Sequence, residues 1–178
     1  MSNLVWHERP HLNRPVLLAA LTGYSDAGDV GTWSLNWLGE RLNARPLATL
    51  NSDPFLVFTE ARPQVTLDLA GQRQITWPDY QITYVSGTRG RDLVLLVGPE
   101  PHLRWRTFSE SVLEVMQETG CDTIITVGGL MGAVLHSLPA RVTGTANTPE
   151  LESKLPPSPG SRYRGPTGML GVLVVAGR

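Results

Sequence analysis

The 178-residue chain carries 15 Lys and Arg against 16 Asp and Glu, a formal net charge of -1 without a run of like sign. That balance removes the electrostatic argument for nucleic acid or an anionic membrane as partner. The longest apolar runs, such as 92–97 and 169–176, fall far short of the ~20 residues a membrane span requires. One cysteine, Cys121, excludes an internal disulfide and a cysteine-based metal site. Residues 1–14 hold no apolar core of signal-peptide length, so a cytoplasmic protein is expected. The length suits one domain spanning 1–178, and 18 Gly with 14 Pro predict many turns between short elements.

Residues 16–21 are apolar throughout and read as a central strand covered on both faces. Gly23 breaks the run into a polar turn holding Tyr24, Ser25, Asp26 and Asp29. Val30, Trp33, Ser34, Trp37, Leu38 and Leu42 follow at helical spacing, with Ser25 or Asp26 placed to cap, and Trp33 and Trp37 are assigned to the inward stripe. Such a turn gathers backbone N–H groups and carboxylates at the carboxyl end of a strand, where open α/β sheets place ligands. A second short strand, 46–50, ends at Asn51-Ser-Asp-Pro.

Val65, Leu67 and Leu69 alternate with polar residues, Ala70-Gly71 turns the chain, and 73–77 returns with Ile75 inward. This predicts an antiparallel hairpin on the edge of the main sheet. Strands 81–86 and 92–97 follow, the second running into Gly98-Pro-Glu-Pro101. Trp105, Phe108, Val112, Val115 and Met116 mark one face of a helix over 105–119, ended by Gly120. A buried strand at 122–127 runs into Gly128-Gly-Leu-Met-Gly132. A short strand is expected at 141–143, a short helix at 148–155 and a surface loop at 156–160. Residues 169–176 are ambiguous between strand and buried helix; the preceding glycine turn, with Thr167 able to cap, favours the helix. Together these patterns predict a three-layer α/β/α domain with a mainly parallel sheet. Glycine turns at 23–28, 98–101, 128–132 and 144–147 would then share one sheet edge.

Gly23-Tyr-Ser-Asp-Ala27 approaches the nucleophile elbow Gly-x-Ser-x-Gly, in which a histidine activates the serine. His102 and His136 follow later strands and are the candidate partners, whereas helix capping by Ser25 or Asp26 needs no partner. Asp26, Asp29 and Glu100 form a candidate carboxylate cluster suited to a metal or to acid–base work, and the same charges also complement helix dipoles. No His-x-x-x-His, Cys-x-x-Cys or EF-hand spacing occurs, and neither late glycine loop carries a Walker Lys-Ser/Thr or spells Gly-x-Gly-x-x-Gly. No metal or cofactor is therefore assigned. Trp6, Trp77 and Trp105 lie at element ends, where an aromatic with a polar handle often marks an interface. Cys121 reads as a small buried hydrophobe. The candidate pocket consists of Gly23, Tyr24, Ser25, Asp26, Asp29, Glu100, Gly128, Gly129 and Gly168.

Several ordered stretches together carry a family resemblance. Gly23-Tyr-Ser-Asp-Ala-Gly28, Gly98-Pro-Glu-Pro101 with Trp105-Arg-Thr-Phe108, Gly128-Gly-Leu130, Thr143-Gly-Thr-Ala146 and Tyr163-Arg-Gly-Pro-Thr-Gly-Met-Leu-Gly-Val-Leu173 resemble the bacterial branch of the PAC2 family, relatives of proteasome assembly chaperone 2. The resemblance implies a phosphorylase/hydrolase-like fold, homo-oligomers with trimers among them, and a protein partner. For eukaryotic and archaeal relatives it implies chaperoning of proteasome subunits without catalysis. Ser25 stands where members typically show Asn, which weakens a catalytic reading of that serine. Members also continue beyond the Gly-Pro-Thr-Gly segment, so this chain is expected to lack their C-terminal part and the hydrophobic-Tyr-x tail of some relatives. The function expected is a non-catalytic, oligomeric assembly or interaction factor. The alternatives are a small-molecule enzyme of nucleoside-phosphorylase or hydrolase type, or a ligand-binding regulator, using the pocket at the strand ends.

Overall fold

Two runs without a charged residue set the centre of the sheet in the computed structural model, which describes residues 3–133, 135, 137–155 and 164–177. In chain order the first elements are β1 (Leu4–Trp6), β2 (Val16–Thr22), a short 3-10 turn (Ala27–Asp29), α1 (Val30–Arg41) and β3 (Arg45–Leu50). A hairpin of β4 (Gln64–Leu67) and β5 (Arg73–Thr76) follows, then β6 (Tyr80–Val85), β7 (Leu93–Pro99) and α2 (Trp105–Thr119). The chain continues through β8 (Thr123–Thr126), the one-turn α3 (Pro149–Glu152) and α4 (Met169–Ala176).

The main sheet has the order β1-β3-β6-β7-β2-β8. The apolar runs β2 and β7 lie side by side in parallel, from Val16 beside Leu93 to Thr22 beside Pro99, and β8 joins β2 in parallel. The other three pairings are antiparallel. Thus β2, β3, β7 and β8 share one direction while β1 and β6 oppose it, giving a mixed sheet in which most strands are co-directional.

Period-two alternation sends β7 side chains to two layers. Val94 and Leu96 join the main core with Phe108 and Val112 of α2 and Met169 and Leu173 of α4. Leu95 faces the other way, against α1, where a Cβ on Gly39 would lie 3.3 Å from its Cδ1. Helices on both faces make the α/β/α arrangement expected from the pattern. Phe55, Tyr80 and Phe108 form an edge-to-face aromatic cluster, with Tyr80 and Phe108 centroids 4.8 Å apart. Each such side chain contributes roughly 1.5–3 kcal/mol when fully buried.

Four expectations are corrected. The β4–β5 hairpin is a separate two-stranded sheet, not an edge of the main one, and Ile75 points outward, 58% exposed. On α1 the inward residues are Gly31, Thr32 and Leu35, while Trp33 and Trp37 are 65% and 50% exposed. The reason is steric: a Cβ on Gly31 would sit 2.5 Å from the Val127 carbonyl oxygen, so the helix lies too close to the sheet to admit an indole beneath it. The strand expected to be buried at 122–127 is a half-exposed edge, because β8 has a neighbour on one side only. Residues 141–143 form no strand. A further strand, β1, exists only through its pairing with Ala48–Leu50, a non-local contact that three residues do not announce. The loop expected at 156–160, together with His136 and Tyr163, lies outside the described residues.

Candidate functional site

Parallel β2, β7 and β8 bring their carboxyl-terminal turns to one edge. Thr22 O accepts from Glu100 N–H at 2.9 Å, joining the first turn to the second. The third turn is stitched to the first by a bridge between Asp26 and Gly129: Gly129 N–H donates to Ser25 O at 2.9 Å and Ala27 N–H donates to Gly129 O at 3.1 Å. Gly23, at φ 113, takes the sharp bend that starts this arrangement, a conformation side chains rarely adopt. The fourth expected member, 144–147, follows no strand; Asn147 Nδ2 instead donates to Val174 O of α4 at 2.7 Å.

Asp26 is buried, and its carboxylate accepts from Gly31 N–H at 2.6 Å, Thr32 N–H at 3.3 Å and Thr32 Oγ1 at 2.5 Å. It therefore caps α1 from three residues ahead of the nominal N-cap, Asp29. Asp29 itself is exposed, has φ 54, and makes no side-chain cap bond. Glu100 performs the same service across a longer distance. Its Oε1 accepts from Met169 N–H at 2.6 Å at the start of α4, whose own N-cap, Gly168, has no side chain, and its Oε2 accepts from Tyr24 N–H at 3.3 Å. Thr167, expected as that cap, does not make the bond. Both anions neutralise the positive end of a helix macrodipole.

The three carboxylates thus do not converge. Among the described residues no group of three His, Cys, Asp or Glu stands close enough to hold a metal ion. The glycines explain how the turns meet. A Cβ on Gly168 would collide with Ser25 Oγ and lie 2.8 Å from Glu100 Oε1, and one on Gly128 would collide with Ser25 O. At these glycines the turns rest directly on one another. Two open depressions, about 560 Å³ beside Arg164 and Val175 and about 440 Å³ beside Asn36 and Thr83, include none of the nine candidate pocket residues.

Ser25 is half-buried and holds its neighbours through its backbone carbonyl. His102 is engaged elsewhere: its Nδ1 accepts from Val57 N–H at 2.9 Å and its Nε2 lies 3.9 Å from Glu60. Thr32 is the functional residue that the sequence reading missed. Its only signal is a hydroxyl on the inward face of the first helical turn, six residues after Asp26. Tyr80 packs against Gly98, and its buried hydroxyl has no hydrogen-bond partner among the described residues. Burial, reinforced by the charges of Asp79 and Glu100, pushes that phenol above its ordinary value of 10.0. Burial likewise raises the Cys121 thiol above its ordinary value. No described helix is long and apolar enough to cross a membrane.

Residues 20–178 match the model of the PAC2 family. The chain is similar to the crystal structure of a PAC2 family protein from Streptomyces avermitilis, 36% identical with a TM-score of 0.83, covering 91% of this chain and 69% of that one. It is similar to a Mycobacterium tuberculosis proteasome-assembly chaperone homologue, 30% identical with a TM-score of 0.81, covering 90% and 68%. A protein of unknown function from Corynebacterium glutamicum, 25% identical with a TM-score of 0.84, covers 97% and 66%. No curated protein matches the chain.

Proposed function

Given that the chain belongs to the PAC2 family, we propose that it is a non-catalytic, cytoplasmic assembly or interaction factor. It works as an oligomer that holds protein surfaces and does not turn over a small molecule. The observation that supports this most is the self-sufficiency of the strand-end turns. The helix N-termini that would receive a phosphate or a carboxylate substrate are already met by Asp26 and Glu100. The similarity to a proteasome-assembly chaperone homologue points the same way and makes proteasome subunits the first partners to try.

Two measurements test the reading. A thermal-shift screen of nucleosides, nucleotides, phosphate and divalent ions is expected to leave the midpoint unchanged, whereas a ligand at ~100 times its dissociation constant would stabilise by roughly 2.7 kcal/mol. Separately, mixing the chain with purified proteasome α-subunits is expected to give a co-eluting complex and faster ring assembly. A reproducible small-molecule shift that Glu100→Gln removes, with no complex at tens of micromolar, overturns the proposal.

A further inference from the structure

The β4–β5 hairpin is amphipathic, and among the described residues its apolar side is uncovered. Val65 lies opposite Ile75 and Leu67 opposite Arg73, so these four side chains share one face, and Gln64, Thr66, Gln74 and Thr76 share the other. Leu67 is 68% exposed, and every residue of both strands is exposed. Trp77 extends the apolar face at its base, where it stacks edge-on against Phe58 with centroids 5.0 Å apart. Two-stranded sheets of this kind are marginal in water unless the apolar face is covered. Leu69 at its tip is fully exposed as well. A contiguous exposed apolar face of this kind marks an interaction surface.

A second uncovered surface lies on α1. Val30, Trp33, Trp37 and Glu40 follow one another at three- and four-residue steps along the helix face opposite Gly31 and Leu35, and all four are exposed. The two surfaces match in spacing and in charge. Leu67 and Val65 stand about 6.7 Å apart along their strand, and Trp33 and Trp37 about 6 Å apart along theirs. Each apolar row ends in one charge, Arg73 on the hairpin and Glu40 on the helix. Among the described residues neither has an ion-pair partner.

We propose that the apolar hairpin face of one copy docks on the Val30–Trp33–Trp37 face of α1 in a second copy, with Arg73 meeting Glu40. The contact covers both orphan surfaces at once. Because it joins two different faces it is heterologous, and it closes into a ring when the rotation per subunit permits. This inference rests on the oligomeric reading above and gives it a specific interface.

The test uses the full chain in a Cys121→Ser background. A chain carrying both Leu67→Cys and Trp37→Cys, mildly oxidised, is expected to form a ladder of covalent multimers, whereas either cysteine alone yields only monomer on a non-reducing gel. A dimer from Leu67→Cys alone would mean hairpin-to-hairpin pairing and would overturn the proposal. Light scattering provides the second arm. Arg73→Glu and Glu40→Arg are each expected to weaken association several-fold and to restore it when combined, the reversal expected for a direct charge pair. If wild type is oligomeric and Leu67→Asp keeps its full mass, this interface is wrong while the oligomeric reading stands. If wild type is monomeric at micromolar concentration, both fall.

Discussion

The strand-end turns and the surface formed by α1 with the β4–β5 hairpin are built on opposite terms. At the turns, Asp26 and Glu100 each answer backbone donors, and glycines let one segment rest on the next. On α1 and the hairpin, indoles and aliphatic side chains stand in water beside a glutamate and an arginine that have no ion-pair partner among the described residues. A region whose polar groups are satisfied internally serves the fold. A region that exposes apolar area at a cost in solubility is the one to which a protein partner has access.

Mutations should separate the two regions by size of effect. Asp26→Ala takes the carboxylate away from the Gly31 and Thr32 N–H groups and leaves the Thr32 hydroxyl only its longer bond to Asp29 O at 3.4 Å; it is expected to destabilise by about 3 kcal/mol, read as a lower urea midpoint with the slope unchanged. Glu100→Ala frees the first N–H of α4 and the Tyr24 N–H; being half-exposed it should cost less, about 1.5 kcal/mol, in the same titration. Trp37→Ala on the outward face of α1 should shift the stability of the isolated subunit by no more than about 0.5 kcal/mol, the range of ordinary surface positions. A loss of 2 kcal/mol there would place the indole in the core after all.

The smallest effect concerns the hairpin tip. Asp68 accepts from the N–H groups of Ala70 and Gln72 and from Gln74, and these bonds, the one from Gln72 foremost, hold its carboxyl below its ordinary value of 3.8. A carboxyl lowered by folding lends its stabilisation above the ordinary value and loses it as pH falls through the folded one. The protection of the Ala70 and Gln72 amides against exchange, taken relative to their intrinsic rates at each pH and followed by NMR, should therefore fall only below pH 3.8, with that of the β2 amides unaffected.

Local pattern carried much of this fold. The unbroken apolar runs of β2 and β7 announced central strands, and α2 was legible to its Gly120 cap because five apolar positions and a glycine agree. The pairing pattern of the hairpin was legible too, through Val65, Leu67 and Ile75, but not which way it faces. Alternation identifies an apolar side without saying what covers it. The phase of α1 was misread because tryptophan counts as core in any periodicity argument. Here Gly31, Thr32 and Gly39 decide the phase, since small residues let the helix approach the sheet. At the turns the gathering of β2, β7 and β8 could be inferred from their parallel reading. That Glu100 caps a helix 69 residues later could not, because no local rule links a carboxylate to a distant N–H.

That span of 69 residues also sets an order of events during synthesis. Glu100 leaves the ribosome well ahead of Met169, and at about 5–20 residues per second the interval is several seconds. Tyr24, made earlier, is present throughout. The carboxylate can therefore clasp the first turn to the end of β7 while the last helix is still being made, and it offers α4 a ready N-terminal anchor on arrival. One side chain acts first as a clamp on the nascent sheet and then as the landing point that completes it.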